Sequence, residues 1–269
     1  VTISGEGLRP AFTASRARIG LVGLLVALAA GAWWFTVDAM RGMDTGPGTQ
    51  LGTLSWFLII WVVMMAAMMF PSVAPTVALY SSMTKKRNPV APLVFVSGYL
   101  VTWTAAGLVA FTVSELGRRI LGDFLSWDRA GRWVAGGVIA VAAVYELTPM
   151  KTICLRHCRS PLGFLLGSWR NGLAGALRMG AKHGAWCVGC CWALMASLFA
   201  LGVMSIAAMA FVAGLIAAEK TLPWGRAVTY GTAAILLALS VLVFAAPDVI
   251  PGLTIPGEAP MTQMDVITR

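Results

Sequence analysis

Leu54-Ser55-Trp56-Phe57-Leu58-Ile59-Ile60-Trp61-Val62-Val63-Met64-Met65-Ala66-Ala67-Met68-Met69-Phe70-Pro71-Ser72-Val73-Ala74-Pro75-Thr76-Val77-Ala78-Leu79-Tyr80 carries no charged side chain. Wound into a helix at about 1.5 Å per residue it reaches roughly 40 Å, enough to cross the roughly 30 Å hydrocarbon core of a bilayer. A run of this length and apolarity reads as a membrane-spanning helix.

Comparable runs lie on both sides of it, at residues 19–37, 92–115, 131–149, 186–218 and 228–246, separated by short charged segments. Hydrophobic residues make up 58% of the chain and charged residues 12%, with a mean hydropathy of +0.80. That is far more apolar than a soluble domain, and no soluble domain fits between the runs. The expected fold is therefore all-α, a polytopic transmembrane helical bundle of about six spans. It forms a single transmembrane domain over residues 19–246, with an N-terminal tail over 1–18 and a flexible tail over 247–269. The run at 186–218 would make a helix of roughly 50 Å, too long for one upright span. It reads best as one tilted helix whose Cys187 end lies at the membrane edge, whereas a break at Gly202 would give seven spans. Ala30-Gly31-Ala32 resembles a signal-peptide cleavage site, but Trp33 and Trp34 read as interfacial aromatics closing a retained span.

Positively charged loops stay cytoplasmic, which sets the expected orientation. With the N-terminus inside, most of the 20 Lys and Arg residues fall on the inner side, among them Lys85, Lys86, Arg87, Lys151, Arg156, Arg159, Arg170, Arg178 and Lys182. Lys220 and Arg226 fall outside in this scheme. The net charge of +9 is then a matter of topology. Nucleic-acid binding is not expected, because cations interleaved with aromatics on one soluble face are missing. The chain reads as a multi-pass protein of the cell (inner) membrane with a cytoplasmic N-terminus, and its expected partners are the lipid bilayer and a metal-donor or acceptor protein.

All five cysteines and both histidines lie between residues 154 and 191, as Cys154, His157, Cys158, His183, Cys187, Cys190 and Cys191. Thiolates and imidazoles are the groups that bind copper and zinc. They divide into two helical stripes. Cys154, His157 and Cys158 share one face at spacings of three and four residues, and His183, Cys187 and Cys190 share another, with Cys191 on its shoulder. The stripes meet only if the linker folds back. Ser160-Pro161 has the character of a helix start, Asn171-Gly172 is a turn signal, and a short amphipathic interfacial hairpin is expected before the fifth span.

A second group of soft ligands lies in the opening stretch. Met64 with Met68 and Met65 with Met69 are pairs four residues apart, and thioethers favour copper(I). Pro71 and Pro75 follow them and free backbone carbonyls toward a cavity. Glu146 is the carboxylate set well inside an expected span, which marks it as an ion or proton site. Under the expected orientation these features converge on the inner half of the membrane.

The blocks Met64 to Pro71 and Pro75, Cys154-Leu155-Arg156-His157-Cys158-Arg159-Ser160-Pro161, and His183-Gly184 through Cys187-Val188-Gly189-Cys190-Cys191-Trp192-Ala193-Leu194-Met195 resemble a family described as predicted metal-binding integral membrane proteins. The likeness covers about residues 50 to 218 and implies a metal role.

Two functional classes follow. The first is binding of a soft metal ion, copper(I) in preference to zinc on the strength of the methionines, for transfer, homeostasis or cofactor delivery. The second is a membrane thiol-disulfide oxidoreductase using the Cys187/Cys190 pair. The second would leave the histidines without a task and would place its thiols on a reducing face. A covalent haem is disfavoured because Cys191, not histidine, follows the pair. With no P-loop, HExxH or GxSxG present, the chain reads as a binding protein rather than an enzyme.

Overall fold

The computed structural model describes residues 8–39, 52–84, 88–121, 131–201 and 205–245, apart from the side chains of residues 8–18 and 121. Among the described residues all regular structure is helical: α1 (Leu8–Ala39), α2 (Leu54–Thr84), α3 (Ala91–Leu121), α4 (Arg132–Glu146), α5 (Pro149–Arg159), α6 (Pro161–Ser168), α7 (Gly172–Ala200), α8 (Ile206–Thr221) and α9 (Gly225–Ala245). α1, from Ile19, and α2, α3, α7 and α9 are each long and apolar enough to cross a membrane, and the bent pair α4–α5 makes a sixth candidate. The tail expected over 1–18 overlaps the backbone of α1. Residues 1–7, the tail expected over 247–269, Lys85 to Arg87 and Gly202 lie outside the described residues.

α3 and α7 form the most extensive helix pair, and small residues make it. A Cβ at Gly180 would run into the carbonyl of Phe95, and one at Gly98 into the carbonyl of Leu177. A Cβ at Gly184 would stand 3.0 Å from the carbonyl oxygen of Tyr99. Glycine lets the two backbones approach closely, as at the small-residue interfaces by which apolar helices pack. Thr102 Oγ1 donates across this seam to the carbonyl of Ala181 at 3.0 Å. α2 packs on the same pair, with Trp61 Nε1 donating to the carbonyl of Trp103 at 2.8 Å. Trp61 also lies against Phe199.

The segment read as one span at 131–149 breaks at Leu147-Thr148, where α4 and α5 meet at 69°. Pro149 holds the first position of α5, and Thr148 is extended (φ −78, ψ 151), its side chain accepting from Lys151 N. Proline disfavours helical geometry in the residue before it, and the threonine caps the helix that follows. The chain turns again at Asn171, where Gly172 adopts a φ of 78° that only glycine takes without strain. The second limb of the expected hairpin is not a separate short helix: it is the first turns of α7.

The expectation of one long helix over 186–218 is corrected. α7 starts at Gly172 and ends at Ala200, and Ser205 caps α8 by accepting from Ala208 N. Cys187 therefore sits midway along α7 and not at a helix end. α8 runs back beside α7, because Lys220 Nζ lies 3.1 Å from Cys187 Sγ. This overturns the assignment of Lys220 and Cys187 to opposite sides. α9 then turns away again and packs against α4, where Phe244 stacks on Trp133 and Ser240 donates to the carbonyl of Gly136 at 2.9 Å.

Candidate metal centre

α7 presents Cys187 and Cys190 on one face, three residues apart, and the 69° bend between α4 and α5 carries Cys158 to meet them. The sulfurs of Cys158, Cys187 and Cys190 all lie within 4.8 Å of one another, and Cys158 Sγ is 3.7 Å from Cys190 Sγ. Cys191 adds a fourth sulfur 3.2 Å from Cys190 Sγ. Cys187, Cys190 and Cys191 are each 1% exposed, so the cluster is closed to solvent except beside Cys158, which is half-buried. All five cysteines are free thiols.

Met69 joins this group from α2, its Sδ 4.0 Å from Cys187 Sγ. Met64, Met65 and Met68 are buried on the same helix, with Met65 one turn from Met69. Pro71 and Pro75 lie within α2 and do not end it. Lacking N–H groups, they leave the carbonyls of Ala67 and Pro71 without their helical donors. Ser72 Oγ donates to the carbonyl of Met69 at 2.9 Å.

The remaining soft ligands stand apart from the three clustered thiols. Cys154 is buried against Gly189, where a Cβ would come within 2.8 Å of its sulfur. His157 stacks on Trp186 with ring centroids 4.0 Å apart, and its Nδ1 faces the carbonyl of Ile153 at 2.9 Å. His183 is 3% exposed in a cage of aromatic rings, the nearest being Phe164 at 4.7 Å. Its Nδ1 has no hydrogen-bond partner.

Several residues around the cluster escaped the reading of the sequence. Tyr99 OH lies 3.0 Å from Cys187 Sγ. Lys220 Nζ donates to Cys187 Sγ at 3.1 Å, to Ser72 Oγ at 3.2 Å and to Met69 Sδ at 3.6 Å. Beside them Lys151 Nζ bridges Glu146 Oε1 and Glu219 Oε2, both at 2.7 Å. Side chains of this triad are 0 to 2% exposed. Glu146, singled out from the sequence, thus has a partner, while its Oε2 and Glu219 Oε1 have none. Lys151, Glu219 and Lys220 stand next to apolar runs and look like ordinary span boundaries. Only the fold-back of α8 reveals them as buried groups.

Three sulfurs at this spacing suit a soft ion. A metal–thiolate bond of about 2.3 Å places the three sulfurs of a trigonal site about 4 Å apart. The donors are thiol and thioether, ligands that suit soft ions, copper(I) among them. No curated protein and no solved structure matches the chain. Residues 58–243 match the PpoB2 family, described as copper chaperone. That stretch holds every clustered sulfur and most of the chain, and the protein belongs to the PpoB2 copper chaperone family.

Proposed function

We propose that the protein is an integral membrane copper(I) carrier that holds the ion on Cys158, Cys187 and Cys190 and passes it to an acceptor protein. The observation that supports this most directly is the convergence of three thiols from two helices within 4.8 Å. Met69 supplies a weak fourth donor from α2, and Met65 and the remaining methionines line a soft path along that helix. Cys191 adjoins Cys190 and offers an alternative thiolate during exchange. Such redundancy would let one thiolate replace another at the ion without leaving it unligated.

The helix exteriors carry large exposed apolar side chains such as Val101, Val109, Val141 and Leu237, the surface that lipid covers. Arg156, Arg159, Arg170, Arg178 and Lys182 cluster around α5, α6 and the start of α7. By the positive-inside rule this end of the bundle faces the cytoplasm. Cys158, the most accessible of the three thiols, lies toward that end and is the natural point of exchange.

Metal analysis of the detergent-purified protein tests the reading. Stoichiometric copper is expected in the parent chain, lost in Cys187→Ser and Cys190→Ser and retained in His157→Ala. A metal-free protein carrying a Cys187–Cys190 disulfide would overturn it in favour of thiol-disulfide exchange.

A further inference from the structure

Two buried lysines approach the centre, and they are treated differently. Lys151 is neutralised by two carboxylates, each at 2.7 Å. Lys220 pairs with no carboxylate among the described residues. Its three N–H groups instead meet Cys187 Sγ, Met69 Sδ and Ser72 Oγ. An ammonium has three hydrogens to place, and here two of them go to sulfur. A tethered monovalent cation is therefore held against the donors a metal ion would use, with its charge directed at the site.

We propose that Lys220 is a charge-selecting residue, which makes the sulfur site favour a monovalent ion over a divalent one. The inference rests on the proposed three-thiol site. Copper(I) and zinc(II) are both closed-shell ions with a taste for thiolates, so donor type alone separates them poorly. Charge separates them better. Coulomb repulsion between a fixed ammonium and a bound ion is linear in the ion's charge, so its effect on the logarithm of affinity is doubled for a divalent ion whatever the local dielectric. A repulsion that weakens a monovalent ion about tenfold weakens a divalent one about a hundredfold. Lys220 also donates hydrogen bonds to Cys187 Sγ and Met69 Sδ, an effect on the donors themselves. That contribution is common to both ions and cancels in their ratio.

Silver(I) and cadmium(II) isolate the effect, being neighbouring closed-shell ions that are both soft and differ mainly in charge. Competition between them is measured on the full chain in detergent or nanodiscs, for the parent protein and for Lys220→Gln, Lys220→Met and Lys220→Arg. The silver-over-cadmium preference is expected to fall about tenfold in the two uncharged variants and to survive in Lys220→Arg. Two neutral variants of different polarity guard against a fold lost to one substitution, and far-ultraviolet dichroism identifies such a loss. A preference unchanged in a folded uncharged variant, or lost equally in Lys220→Arg, overturns the inference while leaving the thiol site intact. Failure of the parent chain to bind either ion sinks the site itself.

Discussion

At the residue scale, one glycine decides which sulfur of α5 reaches the cluster. Cysteine spacing fixes which sulfurs share a helix face, so Cys187 and Cys190 could be paired from position alone. The separation of Cys154 from Cys158 could not, since both share a face of α5 and only the docking of α5 on α7 decides which sulfur reaches the cluster. Gly189 makes that decision. Lacking a side chain, it admits Cys154 into the seam, where an added Cβ would lie 2.8 Å from the sulfur. Gly189→Ala should therefore push α5 outward and carry Cys158 away from Cys190. Overpacking of this kind costs about 1–3 kcal/mol, and here part of that cost falls on metal affinity. Competition with a copper(I) chelator should show weaker binding in Gly189→Ala and recovery in Gly189→Ala with Cys154→Ala, because the second change removes the atom that the new Cβ meets. Binding that is weak in both would show that the glycine acts otherwise. His183 illustrates the opposite case. Its spacing placed it on the face of Cys187, yet the rings of Phe95, Tyr99 and Phe164 enclose it, an aromatic environment that spacing along one helix does not encode.

At the element scale, helix breaks decide what the long apolar runs become. Pro149 reads in the sequence as the end of a span over 131–149; it instead opens α5, and the consequence is the 69° bend that turns α5 across the centre. The break between α7 and α8 left a weaker trace, because hydropathy continues across it and apolar composition does not distinguish one long helix from two antiparallel ones. Along with the buried Met209, Val212 and Ile216, charge ties α8 into its return path. The Glu146–Lys151–Glu219 triad ties α4, α5 and α8 together in a region closed to water. Buried ion pairs add little net stability but are costly to break, since one deletion strands charges without solvent. Lys151→Met should strand two carboxylates and destabilise the bundle by about 3–5 kcal/mol. Thermal unfolding in detergent should show a marked fall in Tm for that variant. Adding Glu146→Gln and Glu219→Gln to it should restore a large part of the loss. An unchanged Tm in Lys151→Met would mean that α8 is held by packing alone.

At the scale of the whole molecule, the break between α7 and α8 changes which face each end of the chain meets. Tyr80 packs on Phe95, and a Cβ at Gly180 would strike the carbonyl of Phe95, so the end of α2 and the starts of α3 and α7 share one end of the bundle. α7 leaves that end, and Phe199 reaches Phe57 and Trp61 near the start of α2. α8 returns, bringing Lys220 to Cys187. α9 leaves again and ends beside the start of α4, where Phe244 meets Trp133. A single helix over 186–218 would have removed the return along α8 and brought the end of α9 to the same end of the bundle as the end of α2. α8, at 16 residues too short to stand among the candidate spans, still makes a return pass in this path, so the end of α2 and the end of α9 lie at opposite ends of the bundle. Gly225 abuts Arg159, so Arg226 joins the end of the bundle that holds Arg156 and Arg159, the kind of charge asymmetry by which the positive-inside rule would orient a membrane protein. Cytoplasmic and periplasmic activity reporters fused after Asn88 and after Ala245 should therefore give opposite signals, the first cytoplasmic and the second external. Matching signals from the two fusions would restore the even number of passes, and with it would exclude the fold-back that places Lys220 against the thiols.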